Sequence, residues 1–164
     1  MKTVLKTRTV FLYVNLSLKK ILKYYIICSN ERKDNMEIKT GIDIIEVDRI
    51  KENVEKFGDK FLKRVYTEKE IEYCDGKNVQ KIQSFAGRFA AKEAVFKAIS
   101  ECIEDKYKIE WKDIEILNND NGKPRVFLNG NLKKIKLKQL EIDVSISHIA
   151  NVAVASVVVK YENN

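Results

Sequence analysis

SFAGRFAAKEAVFKAI, residues 84–99, has the pattern of a helix that is covered on two sides. At about 100° per residue, three phenylalanines share one stripe of this helix, and three alanines share a second stripe on roughly the opposite side. The charged residues lie in two narrow strips between these stripes, whereas a surface helix gathers its charges on one wide arc. The three groups are Phe85, Phe89 and Phe96; Ala90, Ala94 and Ala98; and Arg88, Lys92, Glu93 and Lys97.

Charges in such strips are at least half covered, so they need partners or a ligand. One interpretation is purely structural. Glu93 and Lys97 then form an ion pair one turn apart in the favoured orientation, and Arg88 extends its guanidinium to solvent. The other interpretation is that the charges line a binding site, and this helix alone leaves both open.

The composition indicates one domain with a real core, because the chain has 164 residues and 45% hydrophobic content. Cys28, Cys74 and Cys102 lie far apart, and His148 is the one histidine in the sequence. This argues against a zinc site and against a disulfide framework. It fits a reducing compartment, and we expect a cytoplasmic protein.

The net charge of +7 is concentrated in residues 1–35, which carry +6. Residues 36–164 carry only +1, so the basic footprint of a nucleic-acid-binding domain is absent from them. We therefore divide the chain into a basic N-terminal extension, residues 1–35, and one domain, residues 36–164. The extension is too charged to span a bilayer. It is expected to be a poorly ordered tail or to precede a true start at Met36, and a membrane-surface segment is a further alternative.

The first half of the domain combines one strand with helices. EIKTGIDII, residues 37–45, alternates as a strand does and places Asp43 opposite its main apolar face. Helical spacing follows over residues 47–61, with a break expected at Gly58. Thr67 and Glu70 form a capping box for a short helix that ends at residues 75–76.

The second half of the domain has the sequence pattern of β-strands. Residues 113–117 lead through the turn signal NNDNGKP into residues 125–128. A lysine-rich stretch near residues 133–138 has the composition of a solvated face, and residues 142–147 and 152–159 form a predicted hairpin. The order of elements predicts an α+β fold, with a mostly antiparallel sheet packed against the long apolar helix.

Asp43 and Glu93 are the acidic residues that sequence position singles out, one on the strand and one on the apolar helix. Two carboxylates with no thiolate suit a hard cation such as Mg²⁺, which keeps waters and takes substrate phosphate oxygens. An anion site would be completed by basic residues. These are Arg88, Lys92, Lys97 and His148. Spacing alone gives this pattern little specificity, and a lone histidine is as readily structural or solvated.

Three stretches, GIDIIEVDRI, FAGRFAAKEAVFKAI and VSISHIANVAVASVVV, occur in the order and spacing of one family. From about Met36 to its end, the chain resembles the holo-[acyl-carrier-protein] synthases, which are small, trimeric 4'-phosphopantetheinyl transferases. The resemblance implies transfer of phosphopantetheine from coenzyme A to a serine of an acyl carrier protein in fatty acid biosynthesis, releasing adenosine 3',5'-bisphosphate. It also implies a homotrimer with active sites between subunits.

The resemblance implies roles for the charged residues. Asp43 and Glu93 would hold Mg²⁺ against the pyrophosphate, and Lys97 would neutralise charge on the transferring phosphoryl group. Arg88 and His148 would face the phosphates of coenzyme A. Phosphoryl transfer needs positioning and charge neutralisation more than covalent help. The group that removes the serine proton stays open between Glu93 and a water ligand of the metal.

Two further regions receive roles from the same resemblance. The turn formed by Gly122, Lys123 and Pro124 would lie near the adenine. A basic surface would meet the acidic carrier protein. Its residues are Arg49, early in the first helix, with Lys60 and Arg64 as weaker candidates.

One departure from the family stands at Ser100, Glu101 and Cys102, where the family usually has a glycine-rich stretch. Glu101 adds a negative charge there, and loss of glycine removes easy access to positive φ. This departure leaves open an inactive member that binds coenzyme A or the carrier protein without transfer. A separate alternative rests on the basic pI of about 9.2. It is a non-catalytic basic module that binds nucleic acid or an anionic membrane through residues 1–35 and 133–138.

Overall fold

The computed structural model describes residues 36–162, which form a three-stranded sheet, a two-stranded hairpin and a layer of helices. The helices are α1 (Val47–Phe57), α2 (Asp59–Val65), α3 (Glu68–Asp75) and α4 (Lys81–Ile99). The strands are β1 (Met36–Glu46), β2 (Ile114–Asn118), β3 (Pro124–Leu128), β4 (Lys138–His148) and β5 (Val152–Glu162). Every strand pairing described is antiparallel, which confirms the α+β prediction. The chain divides into the units Met1–Asn35 and Met36–Asn164, and our expectations for residues 1–35 lie outside the described residues.

Helix α4 is covered on both sides, as its two apolar stripes predict. Its alanine stripe meets β1 so closely that a Cβ on Gly41 would lie 1.9 Å from the carbonyl oxygen of Ala94. On the other stripe, Phe85 packs against Tyr66 and Phe89 stacks on Trp111 with ring centroids 4.8 Å apart. The helix is therefore held in place against the sheet, and its charged strips lie where these layers meet.

The sheet has the strand order β1-β5-β4, and one of its faces packs on α4. Asp43 lies on this face, in one cross-strand row with Ala155 and Ile146. The opposite face carries the more apolar side of β1. Its large side chains are exposed: Ile38 by 67%, Ile42 by 65%, Ile44 by 68% and the neighbouring Val158 by 49%. The alternating pattern of residues 37–45 therefore predicted correctly which residues share a face of β1. The more apolar of the two faces is the one that α4 does not cover.

The remaining element predictions are confirmed with small shifts. The first helical segment is interrupted at Gly58, whose φ is 52°. The capping box of Thr67 and Glu70 opens α3, which ends at Asp75. Strand β4 begins at Lys138, four residues earlier than expected, and carries a bulge between Lys138 and Glu141. Within residues 36–162, no helix is long and apolar enough to cross a membrane.

Candidate active site

Asp43 and Lys97 form the centre of the candidate site, joining β1 to the last turn of α4. The Lys97 ammonium donates to Asp43 Oδ1 at 2.7 Å and to the backbone oxygen of Ile42 at 3.1 Å. The Asp43 side chain is only 16% exposed, whereas that of Lys97 is half exposed. Lys97 therefore pairs across to the strand, and its cation faces the surface.

Glu93 lies one turn before Lys97 and is half-buried. Burial raises the pKa of this carboxyl, and the nearby charge of Asp43 raises the same pKa further, while Lys97 acts in the opposite direction. The Asp43 and Glu93 carboxylates repel each other, and a bound cation would reduce this repulsion. The structure thus brings Asp43 of β1 together with Glu93 and Lys97 of α4.

The donor set suits Mg²⁺ rather than a metal that prefers nitrogen or sulfur. Among residues 36–162, no group of three or more His, Cys, Asp or Glu side chains is close enough to hold a metal. Asp43 and Glu93 are the two carboxylates that would supply oxygen ligands here, with the other positions left to water and substrate oxygens. Mg²⁺ is typically bound in this way, through one or two carboxylates and phosphate groups.

Lys92 lies along the wall of a cavity beside Glu93, but the prediction that its ammonium completes the anion site needs correction. Its side chain is fully buried and pairs with Glu70 at 2.8 Å. The ammonium also donates to the backbone oxygens of Trp111, at 3.1 Å, and Ile114. These acceptors use all three of its N–H bonds and leave none for a phosphate. Lys92 therefore ties α4 to α3 and β2, and burial lowers its pKa against the effect of Glu70.

Arg88 is buried too, with 4% of its surface exposed, so it does not extend its guanidinium to solvent. Its guanidinium lies 4.0 Å from the centre of the Tyr73 ring. Nη2 donates to Asn118 Oδ1 at 2.8 Å, and Nη1 donates to the backbone oxygen of Ser84 at 3.4 Å. Direct contact between Arg88 and a phosphate remains a prediction, while the contacts that the structure gives are with the protein.

The turn before β3 contains Gly122, Lys123 and Pro124, as predicted. Gly122 has a φ of 78°, which favours glycine, and both it and Lys123 are exposed. Lys123 pairs with Asp143 of β4 at 2.7 Å. The Asn118 side chain donates to the backbone oxygen of Gly122 at 2.6 Å, which connects Arg88 to this turn. Sequence reasoning missed Asn118, although it is the first residue of the turn signal.

His148 is the last residue of β4 and is exposed. It pairs with Ala153, which pairs with Ile45, so His148 lies on the same face of the sheet as Asp43. On this face, the cross-strand row of His148 is adjacent to the row that contains Asp43. This position is compatible with the predicted contact to phosphate, which stays a prediction.

The three predicted partner-binding residues lie on neighbouring helices and are exposed. Lys60 and Arg64 line a groove of about 400 Å³ whose walls include Phe61 and Trp111. Arg49 lies one turn before Asn53, which also lines the groove and donates from Nδ2 to the Arg49 backbone oxygen at 2.7 Å. The region therefore combines cations with an aromatic floor.

Glu101, the acidic residue that departs from the family pattern, forms an ion pair with a neighbouring lysine. Lys39 on β1 lies 3.1 Å from Glu101 and 3.1 Å from Glu37. Lys39 and Asp43 lie on the same face of β1, on either side of Gly41, so two ion pairs join this strand to the end of α4 and the residues that follow. The negative charge of Glu101 is thus offset locally.

A second cavity, of about 210 Å³, adjoins Glu93 and lies between α4 and the segment of residues 106–114. Its mostly apolar walls include Phe96, Ile109, Trp111 and Ile114. Because a water molecule occupies about 30 Å³ in the liquid, this cavity has room for several heavy atoms beside Glu93.

Comparison with known proteins gives a consistent result. The family model of the 4'-phosphopantetheinyl transferase superfamily matches residues 39–157. A holo-[acyl-carrier-protein] synthase of Ruminiclostridium cellulolyticum is 47% identical over 126 residues, which cover 76% of this chain and 92% of that protein. Two solved structures of relatives are matched over 97–99% of their own chains. A Bacillus anthracis holo-(acyl-carrier-protein) synthase in complex with CoA (3',5'-ADP) is 36% identical, covers 76% of this chain and has a TM-score of 0.61. The ACPS-CoA complex of Chronobacterium ammoniagenes is 25% identical over 77% of this chain, with a TM-score of 0.67.

Proposed function

The chain belongs to the 4'-phosphopantetheinyl transferase superfamily, and on that basis we propose that it is a Mg²⁺-dependent holo-[acyl-carrier-protein] synthase. It transfers the 4'-phosphopantetheine moiety of coenzyme A to a serine of apo acyl carrier protein, as part of fatty acid biosynthesis. The observation that carries the proposal is the cluster of Asp43, Glu93 and Lys97, because it combines a pair of hard oxygen ligands with a half-exposed cation.

In the proposed reaction, the serine oxygen forms a new bond to the phosphorus that carries the pantetheine. The bond from that phosphorus to the bridging pyrophosphate oxygen breaks, and adenosine 3',5'-bisphosphate leaves. Lys97 is the residue of this chain that offsets negative charge on the transferring group. The chemistry that Mg²⁺ supplies when bound is withdrawal of charge from the pyrophosphate.

Glu93 is suited to hold or to accept a proton, since its raised pKa makes it more basic than an ordinary glutamate. The serine proton therefore has two possible acceptors, Glu93 and water, and the geometry is compatible with either. The apolar cavity beside Glu93 is a suitable place for the pantetheine arm. Such a position would bring the phosphoryl group close to Glu93 and Lys97.

An acidic carrier protein is the partner that best matches the groove lined by Lys60 and Arg64. Cations around an aromatic floor favour an amphipathic acidic helix, because its carboxylates meet the rim while its apolar side chains cover the rings. Arg49 extends the same basic surface along α1.

We propose further that the protein is a homotrimer with active sites between subunits, and the uncovered apolar face of the sheet supports the existence of a subunit interface. Ile38, Ile42 and Ile44 are each more than 60% exposed on one strand, and Val158 continues the patch on β5. Contiguous exposed apolar surface of this kind marks an interaction site. A cytoplasmic location is proposed as well, and the free thiols of Cys74 and Cys102 are compatible with it.

The proposal is tested by mass spectrometry of purified apo acyl carrier protein after incubation with this protein, coenzyme A and Mg²⁺. The expected result is a mass gain of one phosphopantetheine per carrier protein. No gain together with intact coenzyme A binding would indicate the inactive alternative. No gain and no coenzyme A binding would refute the assignment of function, and nucleic-acid binding that collapses with added salt would then favour the basic module.

A further inference from the structure

The side chain of Asn118 joins a buried arginine to an exposed turn. Arg88 Nη2 donates to Asn118 Oδ1 at 2.8 Å, and Asn118 Nδ2 donates to the backbone oxygen of Gly122 at 2.6 Å. Arginine has no acceptor and a carbonyl has no donor, so both ends of the amide are needed. Aspartate could accept from Arg88 but could not donate to Gly122.

The other end of this connection is fixed in the core. Arg88 is 4% exposed, its guanidinium lies over the Tyr73 ring, and it bonds to the backbone oxygen of Ser84. Exposure increases outward, from buried Arg88 through half-buried Asn118 to exposed Gly122. The connection is thus a brace that runs from the core to the surface turn.

The turn itself is a tight hairpin connection that depends on glycine, because Gly122 has a φ of 78°. It is closed by local hydrogen bonds through Asn119, which bonds to Gly122 and Lys123. On its outer side, Lys123 pairs with Asp143. Asn118 is the contact that connects this local structure to α4, the helix that also carries Glu93 and Lys97.

We propose that Arg88 and Asn118 are positioning residues, which hold the turn of residues 122–124 in the shape that binds the nucleotide half of coenzyme A. The inference rests on the proposed function and differs from a direct contact of Arg88 with phosphate. Arg88 precedes Glu93 by five residues and Lys97 by nine, or about 7.5 and 13.5 Å along the helix axis. Loss of the brace therefore weakens coenzyme A binding and leaves the reacting end intact.

The test is a double-mutant cycle in steady-state transfer from coenzyme A to apo carrier protein. Asn118→Ala and Arg88→Met are each expected to raise KM for coenzyme A about tenfold while kcat stays within about twofold. The double variant is expected to raise KM by no more than either single substitution does, because each substitution alone already breaks the same connection. Asn118→Asp is expected to behave like Asn118→Ala. Asn131→Ala is the matched control, because this exposed asparagine bonds only to the backbone oxygen of Lys108 among the contacts described.

A second substrate separates the brace from a direct contact of Arg88 with the 3'-phosphate of coenzyme A. A contact of Arg88 with the pyrophosphate is tested by the double variant instead, because the two effects would then add. With 3'-dephospho-coenzyme A, the brace predicts the same increase in KM for both variants. An Arg88→Met effect that disappears with this substrate, or a double variant about a hundredfold impaired, would overturn the proposal. If the wild type transfers nothing, the proposed function fails. Calorimetric titration with coenzyme A then still tests the brace, which predicts weaker binding by Asn118→Ala than by Asn131→Ala.

Discussion

Gly41→Ala tests whether the closeness of β1 to α4 holds the candidate site together. A Cβ at this position would lie 1.9 Å from the Ala94 carbonyl oxygen, 2.9 Å from its carbonyl carbon and 3.1 Å from the Ala98 nitrogen. All three atoms are helix backbone, so no side-chain rotation can relieve the overlap. The strand and the helix must separate by more than 1 Å, since real Cβ contacts are essentially never shorter than 3.0 Å.

The size of the effect follows from that separation. Overpacking a closely packed core lowers the free energy of unfolding by about 1–3 kcal/mol. We expect the upper end of this range, about 3 kcal/mol, because the overlap is between backbone atoms. For a domain of this size, that cost corresponds to a fall in Tm of about 10 °C. The same movement stretches the 2.7 Å contact between Lys97 and Asp43 beyond hydrogen-bond distance, so transfer activity should fall more than coenzyme A binding.

Differential scanning calorimetry and the transfer assay measure the two effects. Gly76→Ala is the matched control. Its Cβ would meet nothing nearer than 3.6 Å, and its φ of −67° suits alanine, so Tm should stay level or rise slightly. A Gly41→Ala protein with the Tm and transfer rate of the wild type would refute the argument that the close approach positions Asp43 and Lys97.

Three further predictions concern the buried ion pair, the carboxylate pair and the exposed face. Lys92→Met leaves the Glu70 carboxylate buried without its cation, so urea unfolding should show a loss of about 3–5 kcal/mol in the free energy of unfolding. Unchanged stability together with lost coenzyme A binding would instead make Lys92 a ligand-binding residue. The raised pKa of Glu93 means that the metal-free wild type loses stability as pH rises through that pKa. Glu93→Gln should therefore raise Tm at pH 7 and leave it unchanged at pH 4, and an equal shift at both values would contradict this sign. Ile42→Glu places a charge in the exposed patch and should convert a trimer to monomers in light scattering, whereas a trimer that persists would move the interface elsewhere.

The two apolar stripes of α4 could be read from the sequence because helical geometry fixes which residues share a side. The same geometry could not tell which charged strip faces the core. Arg88 and Lys92 are buried because α3 and β2 fold over them, and those contacts come from residues far away in the chain. Glu70 illustrates the limit. Its local capping role was predictable, while its pairing with Lys92 depends on tertiary packing.

The carboxylate pair was predictable only with help from the family resemblance. Alternation placed Asp43 on one face of β1, but the face that α4 covers is decided by Gly41, the one position where the helix backbone can approach. The more apolar isoleucine face is the uncovered one. A side chain such as Asn118, which acts through two hydrogen bonds to distant groups, leaves no periodic signal in the sequence.

The most direct test of the site is the Mg²⁺ dependence of the initial transfer rate, followed by mass spectrometry of the carrier protein. Wild type, Asp43→Asn and Glu141→Gln would be compared, because Glu141 is an exposed carboxylate outside the site. If Asp43 and Glu93 hold Mg²⁺, EDTA should abolish transfer, Asp43→Asn should lose at least about a hundredfold in rate, and Glu141→Gln should keep the wild-type rate. Transfer that survives EDTA, or an Asp43→Asn protein with the wild-type rate at the same Mg²⁺ concentration, would contradict this assignment.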